Sequence, residues 1–484
     1  MSATAHGWGI ATPINESLRI AGEKVTRDRS IDVRHPFTGA VVGSVPKATR
    51  ADVRRALEIG RAYRSSLTRH DRYRILMGAG AIVASRKDAI ARLITLESGL
   101  CLKDSLYEVG RASDVLLFAA NQALVDDGQI FSCDLTAHGK RRKVYTLKEP
   151  LLGVITAITP FNHPLNQVIH KLAPAIATNN RVVLKPSEKT PLTAFALADI
   201  LYEAGLPAPM LSVLTGDPSE IADDLLTSPE VDLITFTGGV AIGKYIASKA
   251  IYKRQVLELG GNDPIIVLED ADLEEAAALA AGGSYKNSGQ RCTAVKRILV
   301  QASVADRFVD LLVERTREVK YGDPFDPAMD MGTVIDEPSA QRFESVVNEA
   351  IGAGARLLVG NVRRGALYSP TVIDRVTPDM TVVRKETFGP VSPVIRFSTV
   401  DEAIRIVNGT EYGLSSSVCT NRLDLITRFI QELNVGSVNI REVPGYRLEM
   451  TPFGGIKDSG LGYKEGVLEA MNSFCNTKTY SLPW

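Results

Sequence analysis

Apolar residues recur at every third or fourth position through "RADVRRALEIGRAYRS", "YRILMGAGAIVASRKDAIARLITLES" and "YEVGRASDVLLFAANQALVDDG". That spacing places them on one face of a helix, so three long helical stretches are predicted after the turn-rich segment "IDVRHPFTGAVVGSVPKA". From Leu151 the rhythm changes. Short runs rich in Val, Ile and Leu ("GVITAITP", "RVVLKP", "LSVLTG", "VDLITFTG", "RQVLELGG") alternate with amphipathic stretches such as "NQVIHKLAPAIATN" and "LTAFALADILYEAG". This alternation predicts a parallel, doubly wound sheet, an α/β fold. Ligands of such sheets sit beyond the carboxyl ends of the strands. The residues there are Asn162, Lys185 and Glu188, Gly238 and Gly239, and Glu258. An amide, an ammonium, bare backbone and two carboxylates are thus expected to line one crevice.

A second α/β block runs from "NDPIIVLEDADLEEAAALAAGG" to "VGSVNI" and contains Cys292 in "GQRCTAVKR". Two further runs, "RRKVYTLKE" and "SFCNTKTYSLPW", alternate polar with apolar residues outside both blocks. They are expected to be strands that extend the sheet of another subunit, in a homodimer or homotetramer.

With 484 residues, 45% of them hydrophobic, the chain is long enough to bury two or three cores. Lysine plus arginine and aspartate plus glutamate both number 56, which argues against a basic surface for nucleic acid or anionic membrane. The N-terminus lacks a charged segment followed by an apolar run, and nothing approaches the roughly 20 apolar residues of a membrane helix, so a cytoplasmic protein is expected. Cys101, Cys133, Cys292, Cys419 and Cys475 are scattered and form no C-x-x-C pair. Free thiols are expected, with neither a disulfide framework nor a metal site. The stretch "GGVAIGKY" nearly spells a phosphate-binding loop, but Tyr245 stands where a hydroxyl should meet magnesium, which excludes ATP hydrolysis. The glycine pair still lets a pyrophosphate approach backbone N–H groups. A cysteine hydrolase that needs no NAD, with His163 as partner of Cys292, is the competing enzyme class.

"VLELGGNDP" around Glu258 and "GQRCTA" around Cys292, together with "TPFNHPL", "LKPSEKTP", "FTGG", "KETFGPV" and "TPFGGIKDSG" in order, resemble the aldehyde dehydrogenase superfamily over nearly the whole chain. The resemblance implies a Rossmann-type cofactor domain over 1–127 and 149–259, an α/β catalytic domain over 260–449, and a small β oligomerisation flap from 128–148 and 470–484. It also implies Cys292 as nucleophile, with Arg291 expected to lower its pKa. Asn162 and the Cys292 N–H would hold the oxyanion, and Glu258 would be the general base. For the cofactor, it implies Lys185 and Glu188 at the adenosine ribose, Phe161, Gly238 and Gly239 along the dinucleotide, and Glu386 and Phe388 at the nicotinamide end. Phe161 stands where Trp is usual, and Gly239 where Ser is often seen. A carboxylate at Glu188 repels a 2′-phosphate, so NAD is expected over NADP. The resemblance places Arg111, His163, Arg291 and Arg447 along the aldehyde tunnel. Buried cations without partners are costly, so the substrate is expected to be a small anionic aldehyde.

Overall fold

Alternate residues of single strands feed two different cores, the mark of a sheet covered on both faces. Val182 and Leu184 join one cluster with Ile155 and Ala157, whereas Val183 joins another with Val154 and Ile234. The computed structural model describes residues 10–125 and 128–483. The amino-terminal stretch, the domain boundary at residue 127 and Trp484 lie outside the described residues.

The first large sheet has seven strands. In spatial order they are Arg254–Glu258, Val231–Thr237, Val154–Ile158, Val182–Lys185, Leu211–Val213, Leu18–Ile20 and Glu23–Val25. The first five are parallel and the last two antiparallel. The second large sheet also has seven strands, in the order Arg356–Val359, Thr371–Asp374, Val391–Phe397, Arg297–Gln301, Pro264–Val267, Ser415–Cys419 and Ser437–Ile440. All of its neighbours are parallel except the first pair. It too is buried on both faces, with Ile266 and Leu299 in one cluster and Ile265 and Ile298 in the other.

Helices Arg50–Ala62 and Arg69–Ser85 start on reciprocal caps, Thr49 with Asp52 and Thr68 with Asp71. The apolar pattern running from Tyr73 to Ser98 predicts one unbroken helix, but the structure breaks it at Arg86 into Arg69–Ser85 and Lys87–Ser98. At the break the Ser85 hydroxyl takes the Ile82 carbonyl (2.8 Å), a local bond that competes with the helical ladder. The two alternating runs form a separate three-stranded sheet. Lys143–Pro150 pairs antiparallel with Cys475–Leu482 along its whole length, and Ile130–Ser132 lies on its other side. Each run thus finds a partner within its own chain, and the Tyr145 and Tyr480 rings stack at 5.2 Å across the pair. Among the described residues no helix is long and apolar enough to cross a membrane.

Candidate active site

The carboxyl ends of four neighbouring strands of the first sheet lie side by side along one edge, three of them opening on a crevice. They deliver Glu258, then Thr237 with Gly238, then the segment leading to Asn162, then Lys185. The second sheet faces them with its amino ends. Cys292 lies in the loop entering strand Arg297–Gln301, and Glu386 in the loop entering Val391–Phe397.

A cavity of about 410 Å³ lies between the two sets. Phe161, Asn162, Gly238, Gly239, Glu258, Cys292, Glu386 and Phe388 all line it. A second cavity of about 360 Å³ is lined by Arg111, His163, Arg291 and Arg447. The two share their walls. Asn162 and Cys292 face the first cavity, while their chain neighbours His163 and Arg291 face the second. Lys185 and Glu188 line neither; they are ion-paired to each other at the end of their strand, and Glu188 borders another cleft with Pro36 and Phe37.

The cysteine loop is built on unusual backbone. Asn287, Ser288 and Gly289 are consecutive left-handed residues with φ of 60°, 54° and 70°. For the first two this conformation is costly and must be held in place. Asp104 Oδ2 accepts the Asn287 N–H at 2.7 Å, Asn287 Nδ2 donates to the Asn162 carbonyl at 2.9 Å, and Asn162 Nδ2 donates to the Gln290 carbonyl at 2.8 Å. A Cβ on Gly289 would come within 2.3 Å of the Gly389 carbonyl, so only glycine fits there. The nucleophile candidate and the oxyanion candidate are therefore bonded into one unit.

Burial pushes the Cys292 thiol up to about 11, with Lys296 the largest opposing influence. The expectation that Arg291 activates the thiol is thus corrected. Lys296 is the ammonium that pulls it down most, and burial outweighs that pull. Lys296 Nζ donates to the Cys292 carbonyl (2.5 Å) and the Gly261 carbonyl (2.9 Å) and pairs with Glu386 (2.9 Å). Arg291 points away into the second cavity, with Nη2 on the Gly283 carbonyl at 2.7 Å.

Glu258 is buried, and neither carboxylate oxygen has a partner. Burial, and then the nearby Glu465 charge, raise its pKa well above the carboxylate range. Gly454 packs against it so closely that a Cβ would sit 2.7 Å from Glu258 Oε1.

The first cavity fits a dinucleotide on its own chemistry. Helix Val240–Ala250 starts at Gly239 with no side-chain cap, and a Cβ on Gly239 would meet open space, so free N–H groups and a positive dipole end face the cavity. At the other end Glu386 presents a carboxylate held by the Gly261 N–H (3.2 Å), and the Phe161 and Phe388 rings meet edge to face at 5.9 Å.

The second cavity is cationic around a hidden counterion. Glu449, which sequence reasoning missed, accepts Arg111 Nε at 2.5 Å through Oε1 and His170 Nε2 at 2.7 Å through Oε2, and Arg447 Nη2 lies 3.8 Å away. Burial alone would raise its pKa, but the His170 bond with Arg447 and Arg111 holds it well below the carboxylate range. Burial, then Arg111, Arg291 and Arg447, push His163 well below its ordinary pKa, so it is neutral. Arg447 stacks over the Phe453 ring at 3.9 Å. Arg291 Nε and Arg447 Nη1 are buried without hydrogen-bond partners. Lys286, Asp104 and Tyr107 also line this cavity and were not singled out from sequence. The usable signal was the helical spacing of Asp104, Glu108 and Arg111 on one face. Against a cysteine hydrolase, His163 faces a different cavity from Cys292, and among the described residues no histidine bonds the thiol.

A doubly wound sheet whose carboxyl ends face a half-buried thiol across a crevice defines a crevice-type α/β enzyme. The sequence model of the Aldehyde dehydrogenase family matches residues 24–480, and the chain belongs to that family. It is 39% identical over 450 residues to the 3-sulfolactaldehyde dehydrogenase of Priestia aryabhattai, covering 93% of this chain and 94% of that one. Among solved structures it resembles the NADP-dependent glyceraldehyde-3-phosphate dehydrogenase of Bacillus halodurans complexed with NADP, with a TM-score of 0.94, 37% identity and coverage of 97% and 99%. It also resembles an NAD-dependent aldehyde dehydrogenase of Sinorhizobium meliloti, with a TM-score of 0.93, 33% identity and coverage of 99% and 97%.

Proposed function

We propose that this chain oxidises a short aldehyde bearing an anionic head group, with the dinucleotide in the first cavity and the head group in the second. The observation that carries this reading is the pair of buried, unpartnered guanidinium donors, Arg291 Nε and Arg447 Nη1, in a cavity also lined by Arg111. A buried charged donor without an acceptor is costly, and an anionic oxygen offsets that cost with a charge-assisted bond. Glyceraldehyde-3-phosphate and 3-sulfolactaldehyde, named for the relatives above, both belong to this substrate class. Within it we favour phosphonoacetaldehyde, oxidised to phosphonoacetate. The run "EVPGYRLEMTPFGGIKDSGLGYKEG" resembles phosphonoacetaldehyde dehydrogenase, and three arginines suit a dianion.

In this reading the Cys292 thiolate adds to the carbonyl carbon and forms a thiohemiacetal oxyanion. One N–H of Asn162 Nδ2 is held by the Gln290 carbonyl, which leaves the other, with the Cys292 N–H, for the oxyanion. A nicotinamide dinucleotide, when bound, supplies the hydride acceptor. Loss of hydride from carbon leaves a thioester on Cys292. Glu258 takes a proton from water, the water adds to the thioester, and the acid departs as the thiolate returns. A buried carboxyl with both oxygens free and a raised pKa is suited to that step near neutrality. Lys185 and Glu188 serve the adenosine ribose, and the Glu188 carboxylate favours NAD over NADP. The edge strand Cys475–Leu482 serves as the contact of a homodimer or homotetramer.

Arg447→Ala and Arg291→Ala test the reading. The ratio of kcat/KM for phosphonoacetaldehyde to that for propanal is expected to fall about 10- to 100-fold, the loss of one charge-assisted bond. Equal losses on both aldehydes refute it.

A further inference from the structure

Lys286 lines the second cavity but pairs with no carboxylate. Its ammonium lies over the Tyr107 ring, 3.2 Å from the centroid, and among the described residues no acidic oxygen is within ion-pair reach of it. A lysine with no task extends into water. This one is half-buried and folded into the wall between helix Leu102–Ala123 and the left-handed turn that leads to Cys292. Its nearest negative group, Asp104, is already engaged by the Asn287 N–H. Cation–π contact offsets part of the desolvation of an ammonium but takes up none of its N–H donors.

We propose that Lys286 is a specificity-determining residue, an additional ligand of the substrate's anionic head group that acts beside Arg111, Arg291 and Arg447. The proposal rests on the reading of the second cavity given above. It extends that reading to a group that titrates. Burial, opposed by Asp104 and aided by Arg291, Arg111 and Lys103, lowers Lys286 to about 8. Glu108, His163, Glu442, Tyr446 and Arg447, with Tyr107, complete the charged and titratable groups that line the cavity with it. The ammonium is therefore largely protonated at neutral pH and is lost in mild alkali, where the arginines stay charged.

Two measurements on the full-length protein test this. The first compares kcat/KM for sulfoacetaldehyde with that for propanal in wild type, Lys286→Met and Lys286→Arg. A sulfonate keeps one negative charge throughout the pH range, and the ratio cancels differences in folded fraction and in thiol ionisation. At about pH 7 the ratio is expected to fall about tenfold in Lys286→Met, equivalent to about 1.4 kcal/mol, and to be largely restored in Lys286→Arg. The second follows the ratio from about pH 7 to about pH 9.5. It is expected to decline in wild type and to stay level in Lys286→Arg. An unchanged ratio in Lys286→Met, or the same pH decline in Lys286→Arg, overturns the proposal. Arg447→Ala separates the two failures. If it lowers the ratio while Lys286→Met does not, the anion reading survives without Lys286; if neither lowers it, the anion reading falls as well.

Discussion

Replacing Glu449 by Gln removes the one carboxylate that Arg111, Arg447 and His170 share. The side chain is buried, Arg111 retains 24% of its exposure and Arg447 12%. Breaking a buried ion pair from one side costs about 3–5 kcal/mol, because the remaining charge stays buried. The partial exposure of Arg111 puts the expected loss near the lower end, about 3 kcal/mol. The pH dependence follows from the depressed pKa of Glu449. A carboxyl held below its unfolded value contributes stability above that unfolded value and loses it as pH falls through the folded one. The deficit of the variant is therefore full at pH 7 and narrows progressively as pH falls below the ordinary glutamate pKa of about 4.3. Thermal melting of both proteins at pH 7, with and without methylphosphonate, is the assay. The variant should melt lower and gain more from the anion than wild type does, because the anion supplies the missing negative charge by binding the folded state. Equal melting temperatures with equal response to the anion refute the account of Glu449 as counterion.

Cys292→Ala should reduce no nicotinamide cofactor, NAD or NADP, with any aldehyde, and measurable turnover would remove the cysteine from the proposed mechanism. Glu258→Gln should give a burst of one reduced nicotinamide per site, followed by turnover slowed about 10²- to 10⁴-fold, the range for loss of a general base; undiminished steady-state turnover contradicts that role. Because burial raises the thiol to about 11, the thiolate fraction grows with pH up to that value. Iodoacetamide alkylation of Cys292 in the free protein, read against Cys292→Ala, should accelerate about tenfold per pH unit from neutrality, and a plateau near pH 8 would show an acidic thiol instead.

The strands of the first sheet were legible because both faces are buried. Val182 to Leu184 is apolar without alternation, Leu233, Ile234 and Phe236 are interrupted only by the buried Thr235, and the carboxyl ends of such runs pointed to Asn162, Lys185, Gly238 and Glu258. The helix break at Arg86 was not legible, since it depends on a serine bonding back to its own helix and leaves the apolar spacing intact. Arg111, His163, Arg291 and Arg447 were read as a group, and they line one cavity. Glu449 and Asp104 were missed because a carboxylate in a sequence looks solvated until its cationic partners, from distant segments, are known to surround it. The cation that most opposes the rise of the Cys292 thiol is Lys296 and not its chain neighbour, for a related reason. Arg291 and Cys292 lie in a turn closed by the Ala294 N–H on the Arg291 carbonyl (3.2 Å), and the Arg291 side chain leaves it toward Gly283, whereas Lys296 turns back to the cysteine carbonyl.

One face of helix Leu102–Ala123 grips three separate loops. Asp104 holds the turn before Cys292, Glu108 accepts the Leu165 and Asn166 N–H groups at 2.8 and 2.9 Å just beyond Asn162, and Arg111 holds Glu449 two residues from Arg447. A single rigid rod therefore keeps the loops that carry Cys292, Asn162 and Arg447 in mutual alignment. Under the proposed function, residues projecting from those loops can be exchanged to accept a different aldehyde while the rod preserves the spacing between them.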